Sequence, residues 1–258
     1  MATSQWARRH QLLYGGGVLL FFLVLLLPII FYITYTPASC FDGKLNQSET
    51  DVDKGGTCVL LDERYVQPHA VLWSRTFAVR DGFYNAVAYI ENPNQNAGVL
   101  DAVYQFKFYD EKNILIAERF GRTSIIPEKV FPIFEGRIDT GNRIPARTTF
   151  GFVNDFKWER MKDTTVGLTV INEKVSDIGT TPRVDAELYN TTVEPFTDIS
   201  LVATLFDASG NAFASSRTLV QNVEPGEKKS ITFTWPEPFA DEIARIDIIP
   251  LAPPAIAQ

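Results

Sequence analysis

Hydrophobic and polar positions follow three rhythms along this chain. Residues 12–35, LLYGGGVLLFFLVLLLPIIFYITY, form an apolar run without a charged side chain. At about 1.5 Å of rise per residue the run reaches roughly 36 Å as a helix, and a bilayer's hydrocarbon core is about 30 Å thick. It therefore predicts a membrane-spanning helix over residues 12–36. Pro28 should kink this helix rather than end it, because a span without water must keep its backbone hydrogen bonds internal. Residues 37–62 have no periodicity and are rich in Asp and Gly. From Val66 the rhythm becomes period two. Ala86, Ala88 and Ile90 share one face of a strand, and Leu100, Ala102, Tyr104, Phe106 and Phe108 share one face of the next.

The alternating segments repeat. Residues 84–95 overlay residues 183–193 with Asn92 on Asn190, which puts Ala86, Ala88 and Ile90 on Val184, Ala186 and Leu188. Residues 102–114 overlay residues 199–212, with Phe108 on Leu205 and Tyr109-Asp110 on Phe206-Asp207. Each unit is expected to close with a Pro-marked turn and a strand, Ile144-Pro145 before residues 148–153 and Glu224-Pro225-Gly226 before residues 229–235. The expected fold is mainly β: an N-terminal single transmembrane helix followed by two tandem immunoglobulin-like β-sandwiches, at residues 66–158 and 162–249. A cytoplasmic tail at 1–11 and an extended Pro/Ala-rich tail at 250–258 flank them. The first unit has 34 residues between Asp110 and Pro145 where the second has 17 between Asp207 and Pro225. That excess predicts an insertion at about residues 122–142, either a long loop or an extra edge strand. The junction between the units is short, so the sandwiches are expected to sit end to end.

Charge sets the orientation. Arg8, Arg9 and His10 precede the span and the first charge after it is Asp42, which predicts a single-pass cell-membrane protein with its N-terminus in the cytoplasm and its C-terminal domains outside. Two alternatives for the same run are cleavage as a signal peptide near Thr36-Pro37-Ala38 and lipidation of Cys40, where Pro37 stands in place of the aliphatic residue a lipobox wants. All 31 acidic residues follow the span with 22 of the 24 Lys and Arg, leaving the outer part at −9. An acidic body offers no basic face to a phosphate backbone, so nucleic acid is not an expected partner.

The chain's two cysteines, Cys40 and Cys58, bracket the acidic segment, and on the oxidising side of a membrane they are expected to close it with a disulfide. Within that loop Asp42, Asn46, Glu49, Asp51 and Asp53 supply the hard oxygen donors that Ca²⁺ takes, and neighbouring glycines let carbonyls turn inward. The same residues also make Asx turns and solvated loop positions, and their spacing is not that of an EF-hand. The segment from Cys40 to Cys58 resembles a cysteine motif of extracellular bacterial proteins, C-x-D-G-x-x-N-x-x-E-x-x-x-D-C-G-G-x-C, with Lys54 where the middle cysteine is expected. The resemblance implies an extracytoplasmic address.

The repeated strands, with Leu-Phe-Asp-Ala-Ser-Gly-Asn at residues 205–211 and Phe-Tyr-Asp-Glu-Lys-Asn at 108–113, resemble the small bacterial β-sandwich domains called FxLYD and, more loosely, late-embryogenesis-abundant-type and fibronectin III-like sandwiches. Such a likeness implies non-catalytic envelope modules. The units differ at one place: Val87 and Tyr89 lie on the face opposite Ala86, Ala88 and Ile90, where the second unit has Asp185 and Glu187. Either the insertion folds over that apolar face or the face is a surface for a partner. Catalytic inventory is thin. His69 is the one histidine beyond the span, and no Gly-x-Ser-x-Gly, His-Glu-x-x-His or phosphate-binding Gly loop is present. The expected role is a non-enzymatic, membrane-anchored cell-envelope protein, held in the lipid bilayer through residues 12–36, that binds or scaffolds another envelope protein. The alternative is a calcium-dependent adhesion or stalk protein.

Overall fold

The computed structural model describes residues 3–35, 39–46, 48–253 and 255–256. Thr36-Pro37-Ala38, the alternative cleavage site, and residues 257–258 of the tail lie outside the described residues. One helix, α1 (Thr3–Thr34), runs through Pro28. Its segment Trp6–Thr34, 29 residues, is long and apolar enough to cross a membrane and, among the described residues, is not buried against any other part of the chain. The helix therefore begins well before residue 12. Gln5, Ala7, Arg8, Arg9 and Gln11 are good helix formers and extend a helix already nucleated by the apolar run.

The rest is β. In the first unit β1 (Ala70–Arg80), β2 (Phe83–Asn92) and β5 (Lys129–Asp139) form one antiparallel sheet in the order β1-β2-β5. Opposite it, β3 (Ala97–Tyr109) lies between β4 (Leu115–Ile125) and β6 (Arg147–Phe152), with the short β7 (Glu159–Lys162) continuing the β6 side. The second unit is built alike. There β8 (Leu168–Ser176), β9 (Arg183–Asn190) and β12 (Lys228–Thr234) form one sheet, and β11 (Ala212–Val223), β10 (Phe196–Phe206) and β13 (Arg245–Leu251) form the other. Period-two alternation fills each core from facing sheets: Ala86, Ala88 and Ile90 against Tyr104, Phe106 and Phe108 in the first, Val184, Ala186 and Leu188 against Leu201, Ala203 and Leu205 in the second.

The repeat extends to hydrogen bonds. Buried Asn92 donates from Nδ2 to the carbonyls of Ala97 and Ile126, at 2.8 and 3.0 Å, and accepts from the Asn94 amide. Buried Asn190 does the same with the carbonyls of Glu194 and Val223, at 2.7 and 3.2 Å, and the Thr192 amide. Each Asn ties off the end of its sheet where the chain crosses to the other sheet, satisfying carbonyls that no strand reaches. Asp110 and Asp207 share a second role. Each accepts two backbone N–H bonds in the hairpin turn that follows, from Lys112 and Ile114 and from Ser209 and Asn211.

Three expectations need correction. The expected insertion is β4's end, β5 and the turn after it. β5 pairs with β2 just as β12 pairs with β9, and β6 pairs with β3 just as β13 pairs with β10. The first unit thus carries no extra strand in its sheets' basic order, and residues 148–153 correspond to β13 rather than to residues 229–235. Pro132 is tolerated because β5 is an edge strand. The tail is not simply extended: β13 runs to Leu251 through Pro250, again on a sheet edge, and β14 (Ala255–Ile256) pairs with β7. Finally, the sandwiches do not sit end to end. The outer face of β1-β2-β5 packs on the outer face of β11-β10-β13, so that four sheets are stacked.

Candidate functional site

Two regions carry the residues singled out from the sequence. The first is the segment between Cys40 and Cys58, which a disulfide closes with the Cα atoms 5.6 Å apart. Its carboxylates turn inward onto the loop's own backbone. Asp53 accepts from the amides of Asp42 and Gly43 at 3.0 and 3.1 Å, and itself takes a positive φ of 57°. Asp42 accepts from the Lys44 amide at 2.9 Å and from Asn46 Nδ2 at 2.8 Å, and the latter bond holds its carboxyl below the usual carboxylate range. Glu49 accepts from the Asn46 amide at 3.1 Å, and Asp51 from the Val52 amide at 2.8 Å. Gly56 fits because a Cβ there would stand 2.2 Å from the Ser48 carbonyl oxygen.

The five expected cation ligands are therefore in one loop, but its four carboxylates are spent on separate turns. Among the described residues, the grouping of three acid, thiol or imidazole donors close enough to share an ion is Cys40, Glu49 and Cys58, and its two sulfurs are already bonded to each other. Asn46 Oδ1 is left buried without a hydrogen-bond partner.

The loop joins the body through the residues that follow Cys58. Val59, Leu60 and Leu61 lie along β7: the Leu61 amide donates to the Trp158 carbonyl at 2.8 Å and the Arg160 amide to the Val59 carbonyl at 2.6 Å. Arg160 also reaches back to the Gly56 carbonyl at 2.7 Å. Beyond it Asp62, whose side chain is buried, accepts a two-pronged bond from Arg64, which holds its carboxyl well below the usual range, while Arg64 Nη2 donates to the Thr50 carbonyl at 3.0 Å. A cavity of about 480 Å³ remains between loop and sandwich, lined by Thr50, Asp62, Tyr65, Asn94 and Arg160 among others. Residues 255–256 pair with the next positions of β7, Met161 and Lys162, so both ends of the β body meet on this short strand. Trp158 belongs to the first core, and His69 stands edge-on to Phe152 and Phe156 at 5.0 and 5.1 Å, where burial lowers its pKa.

The second region is the face of Val87 and Tyr89. Expected either under the insertion or open to a partner, both residues are instead buried by the second sandwich, at 0% and 4% exposure. With Phe77 and Phe134 they meet Val202, Phe206 and Ala212. Trp73 stacks on Tyr89 at 4.4 Å and meets Phe206 edge-on at 6.3 Å. Polar bonds at the rim fix the register: Arg75 donates to the Ala212 carbonyl and to Asn211 Oδ1, both at 3.2 Å, and Asn85 Nδ2 to the Ser215 carbonyl at 3.1 Å. The Tyr89 hydroxyl lies toward Thr204 without a well-formed hydrogen bond, and burial pushes its pKa up to about 12. The signal for this interface was in the sequence on both partners, since Val202 and Phe206 also lie opposite their own core set.

Comparison with known proteins adds little to this geometry. No protein-family model matches the chain, and no curated protein matches it. Among solved structures, a red sea bream transglutaminase aligns with 73% of this chain at 9% identity and a TM-score of 0.24. The chain spans 30% of that protein's length, and a likeness at this level assigns neither fold nor activity.

Proposed function

We infer that this protein is a non-enzymatic membrane-anchored module of the cell envelope, which holds a block of two stacked β-sandwiches outside the cytoplasm as a binding or scaffolding surface for another envelope protein. The observation that carries this reading is the coupling of an exposed apolar helix of membrane-spanning length to the sandwiches through a disulfide-closed loop hydrogen-bonded along β7. A disulfide persists in an oxidising compartment, which supports placing the loop outside. Arg8 and Arg9 before the span support a cytoplasmic N-terminus. The test is protease treatment of intact spheroplasts, combined with in-cell cross-linking from a photoreactive residue at exposed Phe120 on β4. Digestion of the β body with the N-terminus protected, and a defined envelope protein captured, are the expected results. A β body protected until the cells are lysed would contradict the reading.

A calcium-dependent stalk is the second reading, and one observation favours it: the unpartnered Asn46 Oδ1 beside the Asp42 carboxylate. Calorimetric titration of the oxidised protein with millimolar Ca²⁺ decides it, the absence of both heat and a rise in melting temperature removing it.

A further inference from the structure

We propose that the disulfide loop is itself a membrane-contacting element, in which Phe41 and Leu45 enter the headgroup and upper acyl layer of the bilayer that α1 spans. The proposal rests on the reading of α1 as a span, and adds to it a second point of lipid contact. Phe41 is 89% exposed and Leu45 62% exposed, although both sit in a loop tied down by a disulfide and by its own hydrogen bonds. Their exposure is thus a fixed feature of the loop's shape. Three of the loop's four acidic residues are turned back into it, Asp42 toward Lys44 and Asn46, Asp53 toward the Asp42 and Gly43 amides and Glu49 toward the Asn46 amide, while Asp51 stays exposed. Phe41 and Leu45 project outward together with exposed Lys44.

Chain length names the occupant. The described helix ends at Thr34, and Phe41 follows only seven residues later, with Cys40 already locked to Cys58. At most about 3.5 Å per residue, Phe41 lies within roughly 25 Å of the point where the chain leaves the membrane. The headgroup layer adds about 5–8 Å on each side of the hydrocarbon, so the nearest large surface able to take two fixed apolar side chains is the bilayer itself. Phe and Leu are among the side chains that elements lying at that level bury in the boundary between headgroups and acyl chains. Because the loop is hydrogen-bonded to β7 through Val59 and Leu61, seating it would also fix the tilt of the first sandwich on the membrane.

The experiment places a photoreactive phenylalanine analogue at position 41, 25 or 120 of the full-length protein, reconstituted in phosphatidylcholine nanodiscs, and weighs the adducts after illumination. Position 25 lies within the span and position 120 on β4. Lipid adducts at 41 and 25, with yield at 41 several-fold above that at 120, are the expected result. Lipid adducts at 25 with none above the position-120 background at 41 would overturn the proposal and leave the span intact. An adduct from 41 to a second copy of the chain would overturn it in favour of self-association. Absence of lipid adducts at 25 would overturn the span and the proposal together. Replacing Leu45 in the same way checks that the result does not depend on altering Phe41.

Discussion

The two sandwiches share one strand order, yet each turns a different sheet toward its neighbour, and side chains on the outward faces differ accordingly. In the first unit the β2 sheet lies inside the stack, and its outward residues are Val87 and Tyr89. In the second the equivalent β9 sheet is outermost and carries Asp185 and Glu187, which pair with Arg183 and Asn172. The β3 and β10 sheets reverse the assignment. Gln105 and Lys107 are only partly buried on β3, whereas their counterparts Val202 and Thr204 are buried on β10. Two copies of one architecture thus become complementary by exchanging polar for apolar residues on opposite sheets. The lesson is that a strand apolar on both faces belongs to an inner layer.

That comparison can be broken most severely by charging one inner face. Val87→Asp would bury an unpaired carboxylate between the sandwiches and is expected to destabilise the chain by at least about 4 kcal/mol in denaturant unfolding, while Lys107→Asp on the outer sheet stays within about 0.5 kcal/mol. Next comes truncation. Phe206→Ala removes a ring enclosed by Trp73 and by the Arg245 guanidinium at 3.8 Å, and is expected to lose about 3–5 kcal/mol. Its counterpart Tyr109→Ala, where the ring is covered by Arg147 at 4.1 Å, should lose about 1 kcal/mol in the same assay.

Cys58→Ser separates loop from body. It should remove about 3 kcal/mol of ordering from the loop, read as lost amide protection at residues 42–58, with the melting of the sandwiches little changed. The smallest effect belongs to the Tyr89 hydroxyl. Its folded pKa, about 12, lies above the ordinary tyrosine value near 10, so the folded state holds the neutral form longer than the unfolded state does. Stability from this source is whole below about pH 10 and falls as pH rises toward 12. Tyr89→Phe should abolish that alkaline loss and change neutral-pH stability by less than about 1 kcal/mol, because the hydroxyl has no well-formed partner to lose.

Much of the fold was legible because its signals are local. Apolar length marked the helix, period two marked the strands, and the Asn92/Asn190 and Asp110/Asp207 pairs recur in the same structural roles. What escaped was long-range pairing. The strand correspondence slipped because β5 and β12 have unlike sequences, KVFPIFEGRID against KKSITFT, and only their shared partners, β2 and β9, reveal the equivalence. The interface was half legible: Val87 and Tyr89 stood out as an apolar surplus, but its complement at Val202 and Phe206 lies more than a hundred residues away. In the loop, the positions of Asp42, Asn46, Glu49, Asp51 and Asp53 suited a cation, while their actual bonds go to neighbouring amides, a choice that composition does not encode.

The stacking of the two sandwiches is tested most directly by a double-mutant cycle between Trp73→Ala in the first unit and Phe206→Ala in the second, followed by denaturant unfolding. The edge-on contact between these rings predicts a coupling of about 1 kcal/mol, so the double variant loses less than the two single losses added together. Strict additivity of the two losses would contradict the stacked arrangement.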